Sequence, residues 1–290
     1  MEYLLHVLIL AAIYTAIAAS LDLLAGRTGL LSIAHAAFYG IGAYTSALLA
    51  VRLGVPFIVG VLAGMVVATL ISFLVSLPSL RLHDDYFVIA TFGFQMILFS
   101  IFNNWMDLTR GPLGIPGIPQ PVIFGWHVDS HSEFLLLAAC FAIFAYLVIW
   151  RITSSPFGRV LHAIREDEVF AKALGKNTLY FKVTAFAVSA ALAASAGSLY
   201  AHYITYIDPT SFTVMESILV ISMVIIGGAG SLWGPLVGAV VLVTLPEALR
   251  FVGLPSSVAA NLRQIIYGSL LVIMMMFRPR GLVGNYGFSK

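Results

Sequence analysis

The residues able to do chemistry in this chain are few and scattered. Two short clusters combine histidine with acid: His83–Asp84–Asp85, and HVDSHSE from His127 to Glu133, which sets two histidines four apart. Imidazole with carboxylate is a ligand set for a divalent metal, and a metal-bound water would do hydrolysis. Short polar clusters at the ends of apolar runs also serve as headgroup-level anchors, so no metal is expected. Three further acids, Asp22, Glu216 and Glu247, lie against apolar runs. A charge deep in a membrane would be a functional signal. Asp22 is close to Arg27, Glu247 is three residues before Arg250, and Glu216 follows IDPTSF, so a proton relay is unsupported. The nucleotide loop G-x-x-x-x-G-K-[ST] is missing, because ALGKNT lacks the upstream glycine and the hydroxyl directly after Lys176. G-x-S-x-G and H-E-x-x-H are missing too. No enzymatic activity and no cofactor are expected of this chain.

The elements that must position these residues are apolar. Of 290 residues, 60% are hydrophobic and 10% charged, with a mean hydropathy of +1.00. A soluble domain dresses its surface with about a quarter charged residues. This chain lacks them, so its exterior faces lipid. A net charge of +2 is too weak to argue for nucleic acid, and the single Cys140 excludes a disulfide framework. Apolar runs fall near 3–25, 30–51, 55–78, 86–102, 133–151, 181–203, 215–229, 235–250 and 263–277. Lipid offers no partner to a free N–H or C=O, so these runs are predicted helices. The expected fold is an all-α polytopic membrane protein of about nine (8–10) spans, one domain over 1–290. Its polar connections are 103–132 and 152–180. Glu2, with no Lys or Arg before Arg27, argues for a retained first span rather than a signal peptide.

Basic residues set the orientation. Arg151, Arg159, Arg165, Lys172, Lys176 and Lys182 crowd around one connection, and Arg278, Arg280 and Lys290 the carboxyl end. The 103–132 connection holds only Arg110, against Asp107 and Asp129. The first connection and the tail are therefore expected in the cytoplasm, with 103–132 and the amino terminus outside. Two runs are interrupted by glycine: GRTGLLSIAHAAFYGIGAY, Gly26 to Tyr44, and GGAGSLWGPLVGA, Gly227 to Ala239. Unwound backbone at membrane depth belongs in protein-lined or water-lined places, often on a translocation path. The first interruption also carries Ser32 and His35, so a pathway role competes there with packing. Gly230, Gly234 and Gly238 repeat every four residues, as do Gly60 and Gly64, and read as close helix packing.

The charged stretch SPFGRVLHAIREDEVFAKALGKN, Ser155 to Asn177, stands apart. Ser155 with Pro156 predicts a helix start, and Gly175 its stop. Val160, Leu161, Ile164, Phe170, Ala171 and Leu174 fall on one side of the wheel, and Arg159, His162, Arg165, Glu166 and Lys172 on the other. The acidic run Glu166–Asp167–Glu168 would be repelled by anionic lipid, so a cytoplasmic protein partner fits better than the bilayer surface.

This stretch resembles the cytoplasmic loop of branched-chain amino acid ABC importer permeases, the LivM type. GLLSIAHAAFYGIGAY, LRLHDDYFVIATFGF, GPLGIPGI, IDPTSFTVMESILVISMVIIGGAGSLWGPLVGA and FRPRGLVG resemble further motifs of that family, in order. Ala34, Asp84 and Arg110 stand where the family usually has glycine, Leu113 where it has asparagine, and Gln95–Met96 replace a Gly–Glu pair. The resemblance implies a bacterial inner-membrane permease subunit of an importer for branched-chain amino acids or a related small solute. It implies that two ATPase subunits drive it, a second LivH-like permease completes the path, and a solute-binding protein delivers cargo from outside. A coupling helix would dock on the ATPase, and the resemblance assigns that contact to Arg159, Ile164, Arg165, Glu166, Asp167, Glu168, Ala173, Leu174 and Gly175. It places Ser32, His35, Phe38, Gly40 and Gly42 near the substrate path, with Tyr86, Thr91 and Phe94. The second glycine interruption, Gly227, Gly228, Gly230 and Ser231, joins them. The alternative is an ion-coupled secondary transporter acting alone, which broken helices and a few ionisable groups would serve.

Overall fold

The computed structural model describes residues 2–80, 84–123, 125–250, 256–278 and 280–284, with backbone only at 84–85, 246–250 and 256–264. Twelve helices follow along these residues: α1 (Glu2–Thr28), α2 (His35–Leu53), α3 (Phe57–Ser79), α4 (Asp84–Asn104), α5 (Met106–Thr109), α6 (His131–Thr153), α7 (Pro156–Glu166), α8 (Glu168–Ala173), α9 (Thr178–Ile204), α10 (Val214–Gly227), α11 (Gly234–Arg250) and α12 (Ser256–Phe277). Six of them, α1, α2, α3, α4, α6 and α9, are long and apolar enough to cross a membrane, and three further apolar stretches, 214–227, 234–245 and 265–277, are shorter. The expected spans all coincide with helices. The count of full-length crossings among the described residues is six, and α10, at 14 residues, stops where the second glycine interruption begins at Gly227.

Helix ends follow local chemistry. Gly54 takes φ +62 beyond α2 and returns its N–H to the Ala50 carbonyl, the left-handed stop that glycine adopts without steric cost. Ser130 and Glu133 form a reciprocal capping box at the start of α6. Asn177 accepts from Tyr180 N at the start of α9. Thr205 ends α9 at φ +61, a conformation unfavourable for a β-branched residue. Its carbonyl is used at once, accepting from Ile118 N.

α9 forms the centre of the bundle, and its composition explains why. Small residues dominate the run from Ser189 to Gly197, so neighbouring backbones can approach closely. A Cβ on Gly42 would strike the Ala194 carbonyl, and one on Gly197 the Tyr39 carbonyl, so α2 and α9 touch backbone to backbone. A Cβ added to Gly64 would come within 3.2 Å of the Gly42 Cα, and one on Gly60 within 3.4 Å of Ser46, which bears out the packing reading of that pair on α3. Gly234 and Gly238 likewise press α11 onto Gly227, Gly228 and Met223. Gly230 does not: it lies in the 228–233 turn at φ +81 and does a different job, described below.

Short strands organise the 105–130 connection. β1 (Ile115–Pro116) pairs antiparallel with β4 (Tyr206–Ile207) just beyond α9, and β2 (Val122–Ile123) with β3 (Trp126–His127). Arg52, at the end of α2, donates to the carbonyls of Asp107 and Leu108. Arg110, in place of the family's glycine, takes φ +61. At this same end His6 of α1 stacks on Tyr203 of α9, and His131 of α6 meets Tyr203 edge-on. The start of α1 therefore shares an end with the 105–130 connection, while α7 sits at the opposite end against Gly26.

Candidate functional site

The polar insert folds as two helices, not the single helix predicted over 155–175. Ser155 caps α7 as expected, accepting from Gly158 N, with Pro156 in the first turn. Asp167 then turns extended, at φ −155, and its Oδ1 accepts from Phe170 N at 2.9 Å to start α8 anew. A short acidic side chain that can cap its own following turn breaks the helix here. The break re-aims the apolar face. Leu161, Ile164 and Ala171 are buried at 3% exposure or less, but Phe170 and Leu174 stand 61% and 63% exposed, beside Val169 at 77%. Arg159, Glu166, Asp167, Ala173 and Gly175 are exposed as well. Gly175 stops α8 at φ +75, as expected.

The remaining insert residues hold onto the bundle. Arg165 Nη1 donates to the Gly26 carbonyl at the end of α1, and Arg27 Nη1 lies 3.2 Å from His162 Nε2. Glu168 is clasped by Lys182 at 2.5 Å, Thr178 at 2.9 Å and Lys172 at 3.1 Å. Burial pushes the Glu168 carboxyl up, but bonds from Lys182, Thr178 and Lys172 outweigh it and hold the group near about 2, against an ordinary 4.5. A depressed folded value means the stabilisation is complete above about 4.5 and is lost as pH falls toward about 2. Acid titration followed by proteolysis near Lys172 and Lys176 is expected to show the α8–α9 junction loosening in that window. In Glu168→Gln the junction is expected to show no such transition there.

Both glycine interruptions meet at the end of α1. Asp22 is 2% exposed, and its Oδ1 accepts from Gly230 N at 2.7 Å, so the acid reaches across to the 228–233 turn rather than simply answering Arg27. A Cβ on Gly26 would collide with both the Asp22 carboxyl and Gly230 N. The FRPRGLVG segment returns to the same place. Leu282 N and Val283 N donate to the Ile226 and Gly227 carbonyls at 2.9 Å each, satisfying acceptors that the end of α10 leaves open. Gly281 and Gly284 crowd Gly228, which only glycine backbones permit.

The start of α2 is capped by other helices. Its own Ser32 Oγ accepts from Ala34 N at 3.3 Å. Thr91 of α4 accepts from Ile33 N at 3.2 Å, Ser217 of α10 from Ala36 N at 3.0 Å, and Gln95 of α4 from Ala37 N at 2.7 Å. Gln95 Nε2 also donates to the Phe212 carbonyl at 2.8 Å. His35 bonds the hydroxyls of Ser20 and Ser189 through Nε2. Thr91, Gln95, Ser217, Ser32 and His35 are all at 1% exposure or less. One unwound point thus joins α1, α2, α4, α9 and α10.

Of the residues the family resemblance placed near the path, Ser32, His35 and Thr91 converge at this point. Phe38 packs between Phe94 and Phe186, Gly40 meets Phe102 and Phe212, and Gly42 is the contact with α9. Gly227, Gly228, Gly230 and Ser231 form the second interruption, all buried. Tyr86 stands apart at 60% exposure. The residues that reading the sequence missed are Gln95, Ser217 and Asp22. Gln95 was visible there as a departure at 95–96, but its two-sided bond depends on Phe212, far along the chain. Glu216, taken as a plain span start, accepts from Tyr14 OH across to α1.

Of the clusters weighed as metal sites, residue 83 and the side chains of Asp84 and Asp85 lie outside the described residues, as do those of Glu247 and Arg250. His127 pairs with Val122 in the hairpin, while His131 faces Tyr203. Among the described residues no three His, Cys, Asp or Glu side chains gather as a metal site.

The chain is 36% identical over 295 residues to the high-affinity branched-chain amino acid transport system permease protein LivM of Salmonella typhimurium, covering 93% of this chain and 68% of that one. It is 25% identical over 294 residues to LivH of the same organism, covering 95% and 92%. A chain of PsaBC from Streptococcus pneumoniae in complex with Fab is similar at 17% identity and a TM-score of 0.49, covering 97% of this chain and 93% of that one. Residues 3–275 match the family described as the branched-chain amino acid transport system / permease component, and the chain belongs to that family.

Proposed function

We propose that the chain is a membrane permease subunit of an ATP-binding-cassette importer, carrying leucine-like amino acids or a related small solute inward. ATP is bound and split by two partner ATPase subunits, since this chain has no nucleotide loop. A second, LivH-like permease completes the path, and a solute-binding protein supplies cargo at the 103–132 face. That face and the amino terminus lie outside; the insert at 152–180 and the carboxyl terminus lie in the cytoplasm, in keeping with their basic residues.

The observation that carries this reading is the tip of α8. Val169, Phe170 and Leu174 are exposed on a polar insert, beyond the apolar spans, in a helix too short to stand alone. A protein groove, not lipid, suits an apolar tip ringed by Glu166, Asp167, Lys172 and Lys176. Ala173 and Gly175 complete the docking surface. Ile164, Arg165 and Glu168 carry its displacement inward, through Gly26 to Asp22 and Gly230, and so to both glycine interruptions. Movement there rocks the helices that meet at Ser32, His35, Thr91 and Gln95, giving access first from one side and then the other.

The test is reconstitution of the chain with its companion subunits in vesicles. Leucine uptake is expected only with ATP, the binding protein and an ATPase able to hydrolyse. Uptake driven by a proton or sodium gradient without ATP would instead establish the ion-coupled alternative.

A further inference from the structure

The end of the bundle that bears the 105–130 connection holds a cleft of about 780 Å³, walled by the α2–α3 turn, the start of α3, and Pro119, Gln120, Val122 and Gly125. Its walls include Val55, Phe57, Val59, Pro119 and Val122, and its one buried polar side chain is His202 of α9. The His202 ring is 1% exposed and lies edge-on to Phe57, with centroids 4.9 Å apart. Nδ1 is 2.9 Å from the Ser198 carbonyl. A carbonyl only accepts, so Nδ1 carries a proton, and Nε2 of the neutral ring is left as an acceptor. Nε2 is buried without a hydrogen-bond partner.

An acceptor left unpaired in an apolar wall is a standing cost, which a phenylalanine of similar size would avoid. The cleft has the volume of a small-molecule site, roughly 300–1,000 Å³. Its chemistry is also selective. Apart from the exposed Gln120 at its rim the walls are aliphatic and aromatic, no acid or base other than His202 lines them, and the acceptor can be answered only by an N–H or O–H. We propose that this cleft binds a short aliphatic chain ending in a primary amine or alcohol, whose N–H or O–H donates to His202 Nε2. The inference does not rest on the transport reading. The donor can arrive on a free solute or on a lipid with a primary ammonium headgroup, and these are separable. Phosphatidylethanolamine has N–H donors, whereas the quaternary ammonium of phosphatidylcholine has none.

The experiment uses the full chain, labelled with ¹⁵N-histidine, in phosphatidylcholine nanodiscs. Titration with 3-methylbutan-1-amine or 3-methylbutan-1-ol is expected to move the Nε2 resonance of His202 upfield and to saturate. The trimethylammonium analogue and 3-methylbutanoate, which offer no donor, are expected to leave it in place. His202→Phe assigns the resonance and is expected to weaken amine binding about tenfold, measured by saturation-transfer NMR. Val59→Trp at the half-exposed mouth keeps the histidine and blocks entry, with a similar expected loss. A shift on adding phosphatidylethanolamine alone assigns the site to lipid, and a shift with the free probes alone assigns it to a solute. If no probe or lipid moves the resonance, or the donor-free analogues bind equally well, the proposal is overturned.

Discussion

Phe170→Asp is expected to abolish capture of the ATPase subunits while leaving the permease folded. Phe170 is 61% exposed, so replacing it removes little internal packing, and the thermal midpoint of the isolated chain should hardly change. In an interface the same ring would be an anchor, and truncating such an anchor costs about 2 kcal/mol or more, roughly a thirtyfold loss of affinity. A buried aspartate adds a desolvation cost to that loss. Co-purification from a membrane expressing all subunits measures it, with Leu174→Asp as a second site on the same tip. Arg165→Ala provides the contrast. Its guanidinium bonds Gly26 inside the chain, so the ATPase should still be captured, while ATP hydrolysis loses its dependence on the binding protein. Capture that survives Phe170→Asp and Leu174→Asp together would remove α8 as the docking element.

Gln95→Leu is the substitution expected to damage the fold most. Gln95 is fully buried and answers two backbone groups at once, Ala37 N–H and the Phe212 carbonyl. Leucine fills similar space but releases the Phe212 carbonyl, at about 1–3 kcal/mol, and takes from Ala37 N–H the shorter of its two bonds, leaving it the Ala34 carbonyl at 3.1 Å. Lipid provides no substitute partner. The single caps should cost less, about 0.5–2 kcal/mol for Ser217→Ala, because one backbone group, Ala36 N–H, is released together with a long 3.5 Å contact to Gln95. Thermal unfolding in a fixed detergent should therefore rank Gln95→Leu well below Ser217→Ala, and Ser217→Ala below the parent chain. A Gln95→Leu chain as stable as the parent would show that the start of α2 does not depend on its bridge to α4 and the 209–212 turn.

Much of this architecture was legible in the chain itself. Residue type decides whether a segment tolerates lipid, so the apolar runs coincide with helices, and Ser155, Pro156 and Gly175 mark the ends of the insert where local backbone chemistry puts them. The spacing of Gly60 and Gly64 announced close packing for the same reason, because a missing side chain is visible without knowing the partner. The family motifs marked both glycine interruptions.

What tertiary structure alone decided concerns partners distant in sequence. Asp22 looked like a neighbour of Arg27, but a buried carboxylate seeks the nearest free N–H, and folding brings Gly230 there. On a continuous wheel Phe170 and Leu174 shared one apolar side with Leu161 and Ile164. Asp167 caps the following turn, ends that wheel and turns them to solvent. Helical periodicity predicts a face only while the helix continues, and the competition between one more turn and a side-chain cap is settled by what the next segment can grip, here Lys182 for Glu168. Gln95 and His202 belong to the same class. One bridges two backbone groups on other elements, while the other bonds only its own helix and leaves Nε2 without a hydrogen-bond partner, and that difference is a property of the assembled bundle.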